Sequence, residues 1–237
     1  MTVSASSHLR ETLGLLMAAD AGPGPLWGHP RLGELYPRYL VALHTVIRSS
    51  VPLMVAARDK AWQQVGDDPV AGTLAAYLDR HIPEETDHDE WLLEDLARLG
   101  WPASDALEHM PSPAVAALVG AQYYYINHSR PVALLGYIGV LEGYPPTEEL
   151  AHAAAARTGY PIEAFRTLRK HAHLDPHHRD DLDRCLDRCS LSPRDMELVV
   201  TNALATAERV VAMISELAAE HPVTKLASER IRLASEC

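Results

Sequence analysis

Two stretches of this chain carry titratable side chains at positions where a packed helix needs apolar ones. From residue 74 the helical stripe reads Leu74, Leu78, His81, Glu85, His88, Leu92, Leu96; from residue 168 it reads Leu168, His171, Asp175, His178, Leu182, Cys185. At about 100° per residue, each polar triplet points the same way as the leucines that flank it. A third stripe, Pro131, Leu135, Ile138 and Glu142, carries an acid on an otherwise apolar face. Such a chain is constrained to pack helices together and to find partners for the acids and imidazoles it buries. Unpaired, each would cost on the order of several kcal/mol. A pair of metal ions removes that cost, because neutral imidazoles and carboxylates become ligands. Imidazole and carboxylate without thiolate suit iron or manganese, and zinc less well. Helical bundles build dinuclear sites from Glu-x-x-His pairs such as the one that Glu85 and His88 form.

Helical periodicity runs through nearly the whole chain, alternating strand-like runs are almost absent, and Pro and Gly fall in clusters between the periodic segments. The reading is all-α: a single multihelical domain over residues 31–237, preceded by an N-terminal extension, residues 1–30, with a short helix. Long helices are expected over 31–63 and 68–99. A third region covers 112–142, broken near Ser129, Arg130 and Pro131. A short helix is expected over 147–157, longer ones over 161–189 and 193–219, and a terminal one after Pro222. Asp195 and Glu197 favour the positive end of the helix that opens at Pro193.

Three segments resemble a known family: HIPEETDHDEWLLEDLARLG from His81, PVALLGYIGVLEG from Pro131, and HAHLDPHH from His171. They are similar to the haem-oxygenase-like diiron oxidases and oxygenases, and helix order matches over about residues 32–219. The resemblance implies a haem-oxygenase-like bundle and metal ligation by His88, Glu142, His171, Asp175 and His178. The carboxylate that accompanies His88 varies in its offset among such proteins. Glu85 is chosen here because it lies on the stripe, with Glu84 its close competitor and His81 a seventh or substitute ligand. The resemblance further implies two ferrous ions, O2 as co-substrate, and a small-molecule substrate, an amino acid for preference, oxidised in specialised metabolism. Outcomes in such proteins include desaturation, C–C cleavage, ring formation and N-oxygenation.

Competing readings use the same scaffold differently. Haem degradation would need one axial His, for which His44 on the first long helix is the candidate, but it leaves both polar stripes unexplained. His44 is read as a satisfied core residue. The thiamine-degrading relatives use a Cys nucleophile in the central helices, and no Cys lies between Met1 and Arg184. A non-catalytic metal-binding helical protein is the remaining alternative.

Two prolines bear on the stripes. Pro176 falls inside the His171–His178 run, where it removes the backbone bond to Ala172 and crowds that turn. This helix is therefore expected to be kinked or partly unfolded without metal, and ordered by metal and substrate. Pro83 either opens the ligand-bearing helix or kinks it before His88. Trp91 is expected to pack beside the site, His128 and Tyr123 to Tyr125 to line a pocket or join the core, and Arg169 and Lys170 to lie on a solvated face.

Composition closes off other classes. The formal net charge of -11 argues against nucleic-acid and anionic-membrane partners. No apolar run is read as approaching the ~20 residues that span a bilayer, and the N-terminus has no basic segment before an apolar core. Cys185, Cys189 and Cys237 show no framework spacing, which points to a reducing compartment; Cys185 and Cys189 are read as small core residues. The cytoplasm is the expected location, and a homodimer is admitted as an assembly.

Overall fold

The computed structural model of the chain describes residues 3–18 and 24–219. Its helices are α1 (Ala5–Ala18), α2 (Gly24–Trp27), α3 (Leu32–Ile47), α4 (Ser50–Gln64), α5 (Ala71–Glu85), α6 (His88–Arg98), α7 (Ala103–Leu107), α8 (Pro113–His128), α9 (Leu134–Leu141), α10 (Glu148–Thr158), α11 (Arg166–Arg188) and α12 (Pro193–Ala218). Short 3-10 turns precede α9 and α11, and no strand occurs among the described residues. The helix expected after Pro222 lies outside the described residues.

Two of the long helices expected from periodicity are each divided. The segment 31–63 breaks at Arg48 and Ser49 between α3 and α4. Pro52 has no N–H to offer the Arg48 carbonyl, so the helical ladder lapses there. The segment 68–99 breaks at Thr86 and Asp87, between α5 and α6. By contrast, the expected start at Ser192–Pro193 is built as read. Ser192 accepts the Asp195 amide, Asp195 accepts the Ser192 amide, and Pro193 occupies the first turn, which makes a reciprocal cap.

The helices pack around two apolar clusters. One gathers Leu53, Leu74, Leu78, Leu118, Leu135, Ile138, Leu182, Leu186 and Val199. The other gathers Leu35, Tyr36, Leu40, Leu92, Leu96, Phe165 and Leu168. The α5–α6 pair leaves the first cluster at Leu78 and enters the second at Leu92, whereas α11 leaves the second at Leu168 and enters the first at Leu182. The residues in between, 81–88 and 171–178, therefore cross the seam where neither cluster supplies apolar cover.

Several contacts hold this seam in register. Gly136 lets α9 lie directly on α12: a Cβ there would meet the Val199 carbonyl and stand 2.9 Å from the Ala203 amide nitrogen. Fully buried Asn202 on α12 exchanges hydrogen bonds with Gln122 on α8 at 2.7 and 3.1 Å. Asp95 on α6 accepts the backbone amides of Arg166 at 3.2 Å and Thr167 at 2.9 Å, which satisfies the orphan donors at the start of α11. The N-terminal extension packs back on the bundle, with Leu9 and Leu13 buried and the Ser6 amide on Asp187 of α11 at 2.9 Å.

Two stretches, Leu32–Gln64 and Pro193–Ala218, have the length and apolar content of membrane-crossing helices, which the sequence reading did not anticipate. Their apolar content has a local source. The first spans the break between α3 and α4 and carries Leu35, Leu40, Leu53 and Met54 into the two cores.

Candidate metal centre

Glu85 is the last residue of α5 and His88 the first of α6. Between them Asp87 adopts a left-handed backbone, φ 67° and ψ 12°, a conformation that Asp tolerates better than most residues. The turn interrupts the helix after Glu85 and leaves the His88 ring beside its carboxylate, Nδ1 to Oε2 at 3.2 Å. Pro83 does not open the ligand-bearing helix: it lies inside α5, where it removes the bond to the Asp79 carbonyl, and the helix ends two residues later, before His88. Glu142 caps the C-terminus of α9 and projects from the end of its apolar stripe.

α11 solves the same problem without a break. It runs unbroken through Pro176 and holds His171, Asp175 and His178 along one side. The run is helical throughout, without the partial unfolding expected there: packing of Leu168 into one apolar cluster and Leu182 into the other pins the helix on both sides of the proline.

All six side chains read from the sequence, together with His81, meet at the seam. His81 Nε2 lies 3.1 Å from Glu142 Oε1. His178 Nδ1 lies 3.1 Å from Glu85 Oε1, 3.6 Å from Glu142 Oε2 and 4.0 Å from Asp175 Oδ1. Ligand atoms of His81, Glu85, Glu142 and His178 fall within 4.8 Å of one another, and all four residues are buried. A second half begins at the other oxygen of Glu85, which faces His88. It continues to His171, whose ring centroid is 5.2 Å from that of His88, and to Asp175, which bonds His171 Nδ1 at 2.8 Å. Glu85 thus turns one oxygen to each half. Glu84 lies outside, half-exposed, against His81 Nδ1 at 3.3 Å and His178 Nε2 at 3.9 Å.

The donors fit a metal pair. Glu85 Oε1, His88 Nδ1, Glu142 Oε2, His171 Nε2 and His178 Nδ1 are all buried without a hydrogen-bond partner. Each unmet group costs about 1–3 kcal/mol. Several of these atoms face one another at 3.1–3.6 Å without hydrogen-bond geometry, as lone pairs do when they converge on a common point.

The electrostatics report the same crowding. Burial lifts the Glu142 carboxyl to about 7 against the pull of His81, with Glu85 and Asp175 pushing it further up. Burial lowers His81, yet Glu142 and its other acidic neighbours outweigh that and raise the imidazole to about 9. Burial also opposes the charge on Glu85, where His88, His81 and His171 prevail and lower its pKa. Burial holds His178 below the ordinary imidazole range despite Glu85.

Nearby residues complete the surroundings. Trp91 packs its ring 3.8 Å from His88 and 6.0 Å from His171, as expected of a residue beside the site. Lys170 lies over the Trp91 ring at 3.6 Å, and Arg169 pairs with Glu148 of α10 at 2.9 Å, so neither is simply solvated. His44 is in the core, but it is not satisfied: among the described residues neither ring nitrogen has a hydrogen-bond partner. Tyr123 and Tyr124 are exposed on α8, outside the core, with Tyr124 against His128. Cys185 and Cys189 are buried free thiols in the first apolar cluster.

Residues 38–211 match a protein family described as iron-containing redox enzymes. No curated protein matches the chain. Among solved structures the fold is similar to a domain of unknown function with a haem-oxygenase-like fold from Shewanella denitrificans (TM-score 0.76, 17% identity, 92% of this chain and 93% of that one). It is also similar to a TenA homolog from Pseudomonas syringae pv. tomato (0.71, 14%, 91% and 95%). A third similar structure is a CADD-like protein of unknown function from Nostoc punctiforme (0.65, 18%, 90% and 96%).

Proposed function

From the premise that this chain belongs to the iron-containing redox enzymes, we propose that its seam holds two iron ions and that the protein is an O2-dependent oxidase or oxygenase. The observation that carries this reading is Glu85, whose two oxygens face two separate groups of buried imidazoles and carboxylates. A single ion would use one group and leave the other unpaired. One half would be held by Glu142 and His178, the other by His88, His171 and Asp175, with Glu85 common to both. When bound, two ferrous ions supply the electrons that reduce O2.

The chain's own residues exclude water and position the substrate. Trp91, with Lys170 across its face, covers the His88 and His171 side. A cavity of about 470 Å³ lies among α1, α9 and α11, walled by Leu9, Leu13, Leu182 and Tyr144. Two of its lining residues directly follow candidate ligands in the chain, Gly143 after Glu142 and Arg179 after His178. Arg179 Nε is buried there without a hydrogen bond, 3.8 Å from the Asp180 carboxylate. An amino acid with an apolar side chain suits these walls, its carboxylate on Arg179, while Asp183 in the same wall is paired with Arg10. The setting is taken to be specialised metabolism in the cytoplasm.

The test is anaerobic loading with two equivalents of Fe(II), then O2 exposure with a panel of amino acids. The expected result is O2 consumption and a new product that depend on one substrate or a narrow set. Bound iron with no O2 uptake in any arm would contradict the enzymatic reading.

A further inference from the structure

We propose that His81 is a seventh ligand of the metal pair and that Glu84, outside the cluster, is the positioning residue that turns His81 toward it. This rests on the reading of the seam as a dinuclear metal centre.

The argument begins with the helix. Residues 84 and 85 are about 100° apart on α5, so one glutamate can enter the cluster while its neighbour stays at the rim. Glu85 is the buried one, and the Glu84 side chain keeps 46% of its surface. From that rim Glu84 Oε2 hydrogen-bonds the outer nitrogen of His81, Nδ1, at 3.3 Å and stands 3.9 Å from Nε2 of His178, too far for a hydrogen bond. Their inner nitrogens, His81 Nε2 and His178 Nδ1, are the atoms that face the carboxylates of the cluster. A histidine bound to metal through one nitrogen must carry its proton on the other, and an acceptor at that second nitrogen fixes the tautomer and the ring direction. Glu84 does this for His81.

Packing fixes His81 further. Its ring is 1% exposed and stacks on Tyr77 at 5.2 Å and 20°, while the His178 ring stands across it at 86° and 4.8 Å. The competing role for His81 is that of an outer donor, giving its Nε2–H to Glu142. His81 Nε2 makes that hydrogen bond at 3.1 Å, so a metal ion would take the place of its proton, while Glu84 holds the proton on Nδ1. With His81 included the centre has four imidazoles and three carboxylates.

Proton NMR of the Co(II)-loaded protein in water separates the two roles, because each metal-bound imidazole contributes an exchangeable N–H resonance displaced by the paramagnetic ion. His81→Ala is expected to remove one such resonance. An unchanged set would overturn the assignment of His81 while leaving the metal centre intact. Wild-type protein that binds no Co(II) would overturn the dinuclear reading and this inference with it.

Because His81 is buried, Glu84→Gln is the second variant. It is expected to weaken one of the two Co(II) affinities by roughly 10- to 100-fold and to displace the His81 N–H resonance. The melting of metal-free protein should be unchanged, since the side chain is half in solvent. Glu84→Asp, which keeps the charge, is expected to recover part of the loss. Identical affinities and resonances in Glu84→Gln and wild type would overturn the positioning role.

Discussion

The α5–α6 arm and the α11 arm bring similar side chains to the same seam by opposite backbone solutions. On α11, His171, Asp175 and His178 follow one helical face, and the helix carries a proline through the middle of the run. On α5–α6 the helix stops after Glu85, turns through a left-handed Asp87 and restarts at His88. The continuous arm keeps its ligands in helical register and bears the cost in its own backbone. The broken arm places the cost in one residue and gains freedom of direction, which lets Glu85 face both halves of the centre with His88 beside it. Their dependence on metal should therefore differ, and the following substitutions test that difference.

The largest effect is expected at the side chain that the two halves share. Glu85→Ala should abolish retention of both ions, a weakening of more than roughly 100-fold that exceeds the range for an outer-sphere partner. His88→Ala should spare the His81, Glu142 and His178 half and leave one ion per chain. Metal analysis after desalting checks both, and two ions retained by Glu85→Ala would break the idea of a common carboxylate.

Next comes the proline of the continuous arm. Pro in a helix interior costs about 3 kcal/mol relative to Ala, so Pro176→Ala should raise the stability of metal-free protein by up to that amount in thermal or denaturant unfolding. In the wild type, amide exchange over residues 168–182 should slow when iron is added. Equal exchange with and without iron would show that metal does not steady this arm.

The start of α11 gives a smaller, pH-dependent effect. Burial raises Asp95 to about 6 against the amides it accepts. An acid whose pKa is higher folded than unfolded binds protons more tightly in the folded state. Its contribution to stability therefore falls as pH rises from about 4 to above 6, by roughly 2 kcal/mol. The stability difference between wild type and Asp95→Asn should shrink over that interval, and a constant difference would remove this account of the cap.

The smallest effect belongs to the broken arm. A left-handed backbone costs an L-residue about 1–2 kcal/mol. Asp87→Val should lose about that much stability and weaken iron at the His88 half alone, whereas Asp87→Gly should match or exceed wild type.

These contrasts also explain what the amino-acid sequence could disclose. The polar triplets within leucine stripes were legible because helical period is a property of short windows, and His171, Asp175, His178 and Glu142 follow from it directly. The Ser192–Pro193 start was legible because a reciprocal cap has its own residue types. The break at Asp87 was not, since the usual sign of a left-handed turn is Gly or Asn, and a continuous stripe through His88 scans equally well. That hidden turn also left the choice among His81, Glu84 and Glu85 open in the sequence. On a continuous helix the two glutamates differ only in angle, whereas in the fold one is buried between the halves and the other stands at the rim. His44 failed for a different reason. Periodicity shows that a side chain is buried but carries no information about whether a partner awaits it.

The claim on which all of this depends is that the seam binds two iron ions through a carboxylate common to both. Anaerobic titration of metal-free protein with Fe(II), followed by metal analysis and Mössbauer spectroscopy, measures it directly. The account predicts two ferrous ions per chain. Fewer than one ion per chain, even with substrate present, would contradict it.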